Sequence, residues 1–131
     1  MGEKRSASAN LCHGRHSRSS DRDATPDRVR VIFAGRIVAD SKRALLLHEA
    51  SYPPVAYIPR EDVDMAFLVR TDRKTRCPYK GEASYYSIRA DGRIAENAVW
   101  SYEQPLANIA EIAFYVAFYP DRVDRIERLA S

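Results

Sequence analysis

Hydrophobic and polar positions alternate along this chain in short runs. From Arg28 the order is Arg28-Val29-Arg30-Val31-Ile32-Phe33, then Ala34-Gly35, then Arg36-Ile37-Val38-Ala39. Polar and β-branched residues thus flank a short glycine-containing turn, which predicts a β-hairpin. Ala44 to Glu49 is too short for period alone to choose helix or strand. The prolines at 53, 54 and 59 favour a strand there. Val55 to Ile58 is held extended, because a residue before proline is pushed towards the β region.

Pro59 to Asp64 predicts a single helical turn, with proline at its first position and carboxylates at its positive end. Met65 to Val69 reads as a strand and Arg70 to Gly81 as a long polar loop. Ala83 to Arg89 and Arg93 to Glu103 read as strands joined by a hairpin turn at Asp91-Gly92. Pro105 opens a short helical turn, Ile112 to Tyr119 forms a last apolar strand, and Pro120 to Ser131 a charged turn or helix. The fold class is α+β and strand-rich: a small, mostly antiparallel sandwich or open barrel with short helical turns.

Composition divides the chain at residue 26. Met1 to Pro26 is rich in Ser and Arg, and Leu11 is its one large aliphatic residue after Met1. Such a segment cannot offset its ordering entropy by burial and is expected to be a disordered tail. Residues 27–131 form the single domain. The net charge is +3, with five basic and three acidic residues in the tail and sixteen basic and fifteen acidic in the body. A near-neutral body lacks the footprint of a nucleic-acid-binding domain, so no nucleic-acid partner is expected. No apolar run approaches the ~20 residues of a membrane span, and no membrane partner is expected. The tail has no secretory apolar centre. Cys77 is the only cysteine of the body, which fits a reducing compartment and a cytoplasmic location.

The chemistry concentrates in Thr75-Arg76-Cys77-Pro78-Tyr79-Lys80-Gly81 and the strand after it. Arg73, Lys74, Arg76 and Lys80 lie close enough in sequence to lower the pKa of the Cys77 thiol; the bland alternative is a small buried loop anchor. His48 and Glu49 would face opposite sides of a strand, which argues against a Cys77–His48–Glu49 triad. Glu49 ends an apolar face and needs a partner, for which Lys80 is the candidate. Trp100 and Tyr102 share one strand face, and either Tyr85 or Tyr86 lies across from Trp100. These aromatics are either core or the wall of a pocket for a flat ligand. Asp62 and Asp64 form an Asp-x-Asp of the magnesium-binding kind, or simply helix-start carboxylates. No Gly-rich phosphate loop accompanies them, and one body cysteine and one body histidine cannot supply a zinc set. No cofactor or metal is therefore expected.

The body also resembles a known family. Val29-Arg30-Val31 with Gly35, Ala39-Asp40-Ser41, Glu49, Tyr57-Ile58-Pro59-Arg60-Glu61-Asp62-Val63, Cys77-Pro78-Tyr79-Lys80-Gly81, Tyr85-Tyr86, Trp100-Ser101-Tyr102 with Pro105, and Val116-Ala117-Phe118-Tyr119 look like the domain of unknown function 427. That family is sometimes labelled a putative nucleotidyltransferase. The resemblance implies a β-tent architecture and strengthens the choice of Glu49, Cys77, Lys80, Tyr85, Tyr86 and Trp100. The zinc of β-tent relatives is not implied, since the cysteine pairs that hold it are missing.

The expectation is a domain that binds a small molecule. Cys77, Lys80 and Glu49 are its candidate catalytic residues, and Tyr57, Arg60, Tyr79, Tyr85, Tyr86, Trp100 and Tyr102 its ligand contacts. The alternatives are a magnesium-dependent nucleotidyltransferase-like enzyme and a protein-interaction module.

Overall fold

The computed structural model describes residues 21–24, 27–49 and 52–129. Among the described residues ten strands form three antiparallel sheets. The first sheet has the order β1-β4-β5, from β1 (Asp21–Ala24), β4 (Leu45–Glu49) and β5 (Tyr52–Tyr57). The second is β10-β2-β3, from β2 (Arg28–Phe33), β3 (Arg36–Ser41) and β10 (Arg125–Leu129). The third runs β6-β7-β8-β9, from β6 (Leu68–Cys77), β7 (Gly81–Ala90), β8 (Arg93–Tyr102) and β9 (Val116–Phe118). No closed barrel forms from these strands.

Both predicted hairpins are present. Phe33 pairs with Arg36 and Ala90 with Arg93, leaving two-residue loops. Ala34 and Gly35 have φ of 53° and 73°, and Asp91 and Gly92 of 50° and 79°. Two consecutive positive φ values match the twist of the flanking strands, which is why such sequences turn there.

Along β7 and the second half of β8 the β6–β9 sheet is buried on both faces, whereas β6 is largely exposed. The sheet's alternation sends Tyr86, Ile88, Val99 and Phe118 to a core shared with Val29, Val31, Phe33 and Val38 of the β2–β3 hairpin. It sends Ala83, Tyr85, Trp100 and Tyr102 to a second core with Leu47, Tyr57, Ile109 and Ile112. Residues one apart on β7 and β8 therefore face different interiors. The bridge between Ile58 and Val116 fastens the end of β5 to β9 and links the two layers.

Several elements depart from expectation. The segment read as a polar loop after Arg70 is the second half of β6, a ten-residue edge strand. Its charged residues suit an edge, where they discourage pairing with another chain, and cross-strand bonds to β7 override their weak β-propensity. Thr71–Arg73 bulge out of the ladder, since Arg70 pairs with Tyr86 and Lys74 with Ser84. The strand expected from Met65 begins at Leu68, after a 3₁₀ turn over Met65–Phe67. The last apolar strand is only Val116–Phe118, because Ala107–Ile112 is taken up by 3₁₀ structure. After a 3₁₀ turn at Pro120–Arg122, the charged C-terminus forms β10 on the free side of β2. β1 lies inside the segment expected to be a tail, where backbone pairing with β4 requires no apolar residues of its own. The rest of that expectation, residues 1–20 and 25–26, lies outside the described residues. No helix among the described residues is long and apolar enough to cross a membrane.

Candidate functional site

The predicted aromatic residues separate onto the two faces of the β6–β9 sheet. Tyr85 pairs with Trp100 and Tyr86 with Val99. On the inner face, Trp100 donates its Nε1–H to the Tyr57 hydroxyl at 3.1 Å. Their rings meet edge to face at 6.2 Å. The Tyr85 hydroxyl lies 2.9 Å from Thr75 Oγ1 and 3.5 Å from the Tyr119 hydroxyl. Burial, with Tyr85 alongside, pushes the Tyr119 phenol well above its ordinary pKa, so it stays protonated and able to donate. Tyr57, Tyr85, Trp100 and Tyr102 are all buried, and polar aromatic ends satisfied inside an interior are a packing solution.

On the other face a charged cluster closes the end of the sheet. Arg60 leaves the 3₁₀ turn Arg60–Asp62. It donates from Nε to the Phe114 carbonyl at 2.7 Å, and from Nη2 to Glu103 Oε2 at 2.9 Å and Ser101 Oγ at 3.2 Å. Arg70, on β6, reaches both oxygens of Glu103 at 3.1 Å and donates to Ser84 Oγ at 2.9 Å. The Tyr86 hydroxyl donates to Glu103 Oε2 at 3.1 Å, and both guanidinium groups lie over the Tyr86 ring, at 5.3 and 5.9 Å. Burial raises the pKa of Glu103, but hydrogen bonds from Arg70 and Tyr86 and the charges of Arg70 and Arg60 outweigh it. The carboxyl is held below its usual range.

A groove of about 440 Å³ opens beside this cluster. It is lined by Arg70, Lys74 and Arg76 of β6, by Glu82 and Ser84 beside them on β7, and by Glu103, Leu106 and Phe114. Lys74 and Arg76 have no hydrogen bond or ion pair among the described residues. A second cavity, of about 190 Å³, lies where β2, β5 and β10 approach; Val29, Val31, Ile58, Phe118 and Trp100 line it. Trp100 thus does wall a cavity, but an apolar one without the tyrosines and lysine expected beside it.

The remaining predicted residues are placed as follows. Lys80 is fully buried; its backbone carbonyl accepts from Leu106 N–H at 3.0 Å and ties the Cys77–Gly81 turn to the groove wall. Cys77 is buried and disulfide-bonded, with its partner outside the described residues. The Glu49 side chain lies outside the described residues. Tyr79 is exposed on the turn between β6 and β7. Asp62 accepts from Ser41 Oγ at 2.6 Å and from Arg43, and Asp64 caps the Ala66 N–H. Among the described residues no three His, Cys, Asp or Glu side chains gather as metal ligands.

The family model described as "Domain of unknown function (DUF427)" matches residues 21–128, most of the chain. The chain belongs to the DUF427 family. No curated protein matches it. The matched span of this DUF427 domain contains every element that builds the charged cluster and the groove.

Arg70, Glu103, Ser84 and Phe114 were not singled out from the sequence. Period-2 alternation had the signal for one of them: Glu103 follows Val99 and Ser101 on one face, opposite the face of Trp100 and Tyr102. Arg70 was hidden because its strand reads as a loop.

Acid titration of the DUF427 domain should report the cluster. The folded pKa of Glu103 lies below its unfolded value, so its contribution is complete above about pH 4.3 and is lost as pH falls through the folded pKa. Asp40 and Asp62 are also lowered, the first mainly by the Arg28 hydrogen bond; for the second, burial is the largest single effect and raises it, but the hydrogen bonds from Ser41 and Arg43 and the Arg43 charge together outweigh it. Chemical denaturation should therefore show stability level near neutrality and falling below about pH 4.3, with a shallower fall in Glu103→Gln. An equally steep acid limb in that variant would remove Glu103 from the account.

Proposed function

We propose that this DUF427 domain binds a small anionic molecule in the groove beside Arg70. The observation that carries this reading is the pair of cations, Lys74 and Arg76, facing a groove without protein partners next to an arginine held in place by Glu103 and Ser84. A concave surface with surplus charge of one sign concentrates counter-ions from solution. The Arg60–Glu103–Arg70–Tyr86 cluster supplies rigidity: two guanidinium groups share one carboxylate, so the cluster keeps net positive charge after its internal pairing. Arg60 and Tyr86 of the predicted contacts position Arg70, and Lys80 anchors the turn behind the groove. The β-tent reading of the fold accompanies this proposal, supported by the way two small sheets cover the faces of the β6–β9 sheet.

Titration calorimetry with inorganic phosphate and with acetate, at low ionic strength, tests the groove directly. Lys74→Ala/Arg76→Ala should weaken binding by about tenfold or more, equivalent to about 1.4 kcal/mol, because the charges act on a desolvated anion. The same double variant should unfold within about 0.5 kcal/mol of the wild type, since neither side chain has a structural partner. Undiminished binding in the double variant would refute the groove. Nucleotides with and without magnesium belong in the same titration. A magnesium-dependent heat lost in Asp62→Asn would move the reading to nucleotidyl transfer.

A further inference from the structure

We infer that the ligand of this groove is a ring-bearing anion, an aromatic group carrying a carboxylate or phosphate, whose ring is received by Phe114. The inference rests on the groove reading and adds the chemical class of the ligand. Phe114 has φ of +66°. A bulky aromatic residue in the left-handed region is an outlier that normally costs free energy, and glycine would take the same conformation without strain. Among the described residues the other non-glycine positions with positive φ are Ala34, Asp91 and Asn97, two hairpin-turn residues and an asparagine, the small or polar types expected there. The backbone is held in this conformation by bonds at both ends of the residue. Phe114 N–H donates to the Tyr102 carbonyl at 3.1 Å, and its carbonyl accepts from Arg60 Nε.

Burial of the ring does not explain the strain, because Phe114 is 53% exposed. The Arg60 guanidinium lies 5.5 Å from the ring centroid and fixes it from one side. The ring also lines the groove with Leu106, itself 43% exposed, alongside Arg70, Lys74 and Arg76. An exposed aromatic ring and an exposed leucine beside unpartnered cations present an apolar surface and a positive charge to one occupant. A ligand with a flat ring on Phe114 and its anionic group towards β6 satisfies both. Strained residues cluster where a surface is preorganised for a ligand, and here the strain points the ring into the groove.

The experiment compares phenyl phosphate with inorganic phosphate by titration calorimetry and thermal unfolding, using wild type, Phe114→Gly and Phe114→Leu. Wild type should prefer phenyl phosphate by about three- to tenfold, the range of one aromatic contact. Both variants should lose that preference while keeping their affinity for inorganic phosphate. Phe114→Gly should also unfold at or above the wild-type temperature, since the strain is relieved. Equal binding of the two probes by wild type overturns the ring and leaves the groove; binding of neither overturns both. A Phe114→Gly protein that melts lower and keeps the preference makes the ring purely structural and overturns the inference.

Discussion

Arg60→Ala is expected to destabilise the domain by about 2–3 kcal/mol, with hydrogen bonds to charged groups contributing about 1.5–3 kcal/mol each and partial compensation from Arg70. For a domain of this size that lowers the unfolding midpoint by roughly 10–20 °C. The reason is position. One guanidinium joins the turn after β5 to the end of β8 and to the carbonyl of Phe114, residues 41 to 54 positions away. Removing it leaves the Phe114 carbonyl without its donor and Glu103 with one cation in place of two. Arg60→Lys should restore only part of the loss, since a single ammonium cannot reproduce the planar fork. Arg70→Ala makes the comparison sharp: it pairs with the same carboxylate from a more exposed position and should cost about 1 kcal/mol or less. Equal, small losses in the two alanine variants, measured by urea denaturation, would show that Arg60 does not tie these segments together.

Gly81→Ala is expected to cost about 2–4 kcal/mol, the sum of a strained backbone and a close contact. Gly81 has φ of +110°, and a Cβ built there would sit 3.2 Å from the Gln104 carbonyl oxygen and 3.6 Å from the Pro105 Cα. These neighbours are backbone atoms, and the Leu106 N–H bond to the Lys80 carbonyl holds them close, so they cannot swing aside as a side chain would. The groove wall should shift with them, and phosphate affinity should fall along with stability. Gly35 is the control. Its φ of +73° lies in a hairpin turn with nothing within 4 Å of a Cβ, and Gly35→Asn should unfold within about 0.5 kcal/mol of wild type, because asparagine tolerates that region. If both glycine variants unfold at the same urea concentration, the close approach at Gly81 carries no cost.

Much of the fold was legible. Alternation at Arg28–Phe33 and the paired turn residues at 34–35 and 91–92 specify hairpins locally, through φ values that few residue types accept. The same alternation placed Trp100 opposite a tyrosine of the Tyr85-Tyr86 pair, and pairing with Tyr85 follows. It also separated the faces of Tyr85 and Tyr86, so the expected single pocket could not use both. The second half of β6 was not legible, because Arg70, Lys74 and Arg76 have little β-propensity and are held in the ladder by partners on β7. The groove was lost with it, since its cations are those residues.

The sequence by itself determined the family, the antiparallel hairpins and the face on which each β7 and β8 residue lies, because period-2 alternation and turn chemistry act over a few residues. Only the tertiary structure decided what covers each face and that one end of the sheet meets a groove. Tyr57 and Trp100 became packed core partners because β5 crosses that face, and Arg60 and Arg70 met on Glu103 because a turn and an edge strand converge at the end of β8. Those contacts join residues 33 to 43 positions apart. Bringing such residues together is the work of sheet packing, which no local pattern encodes.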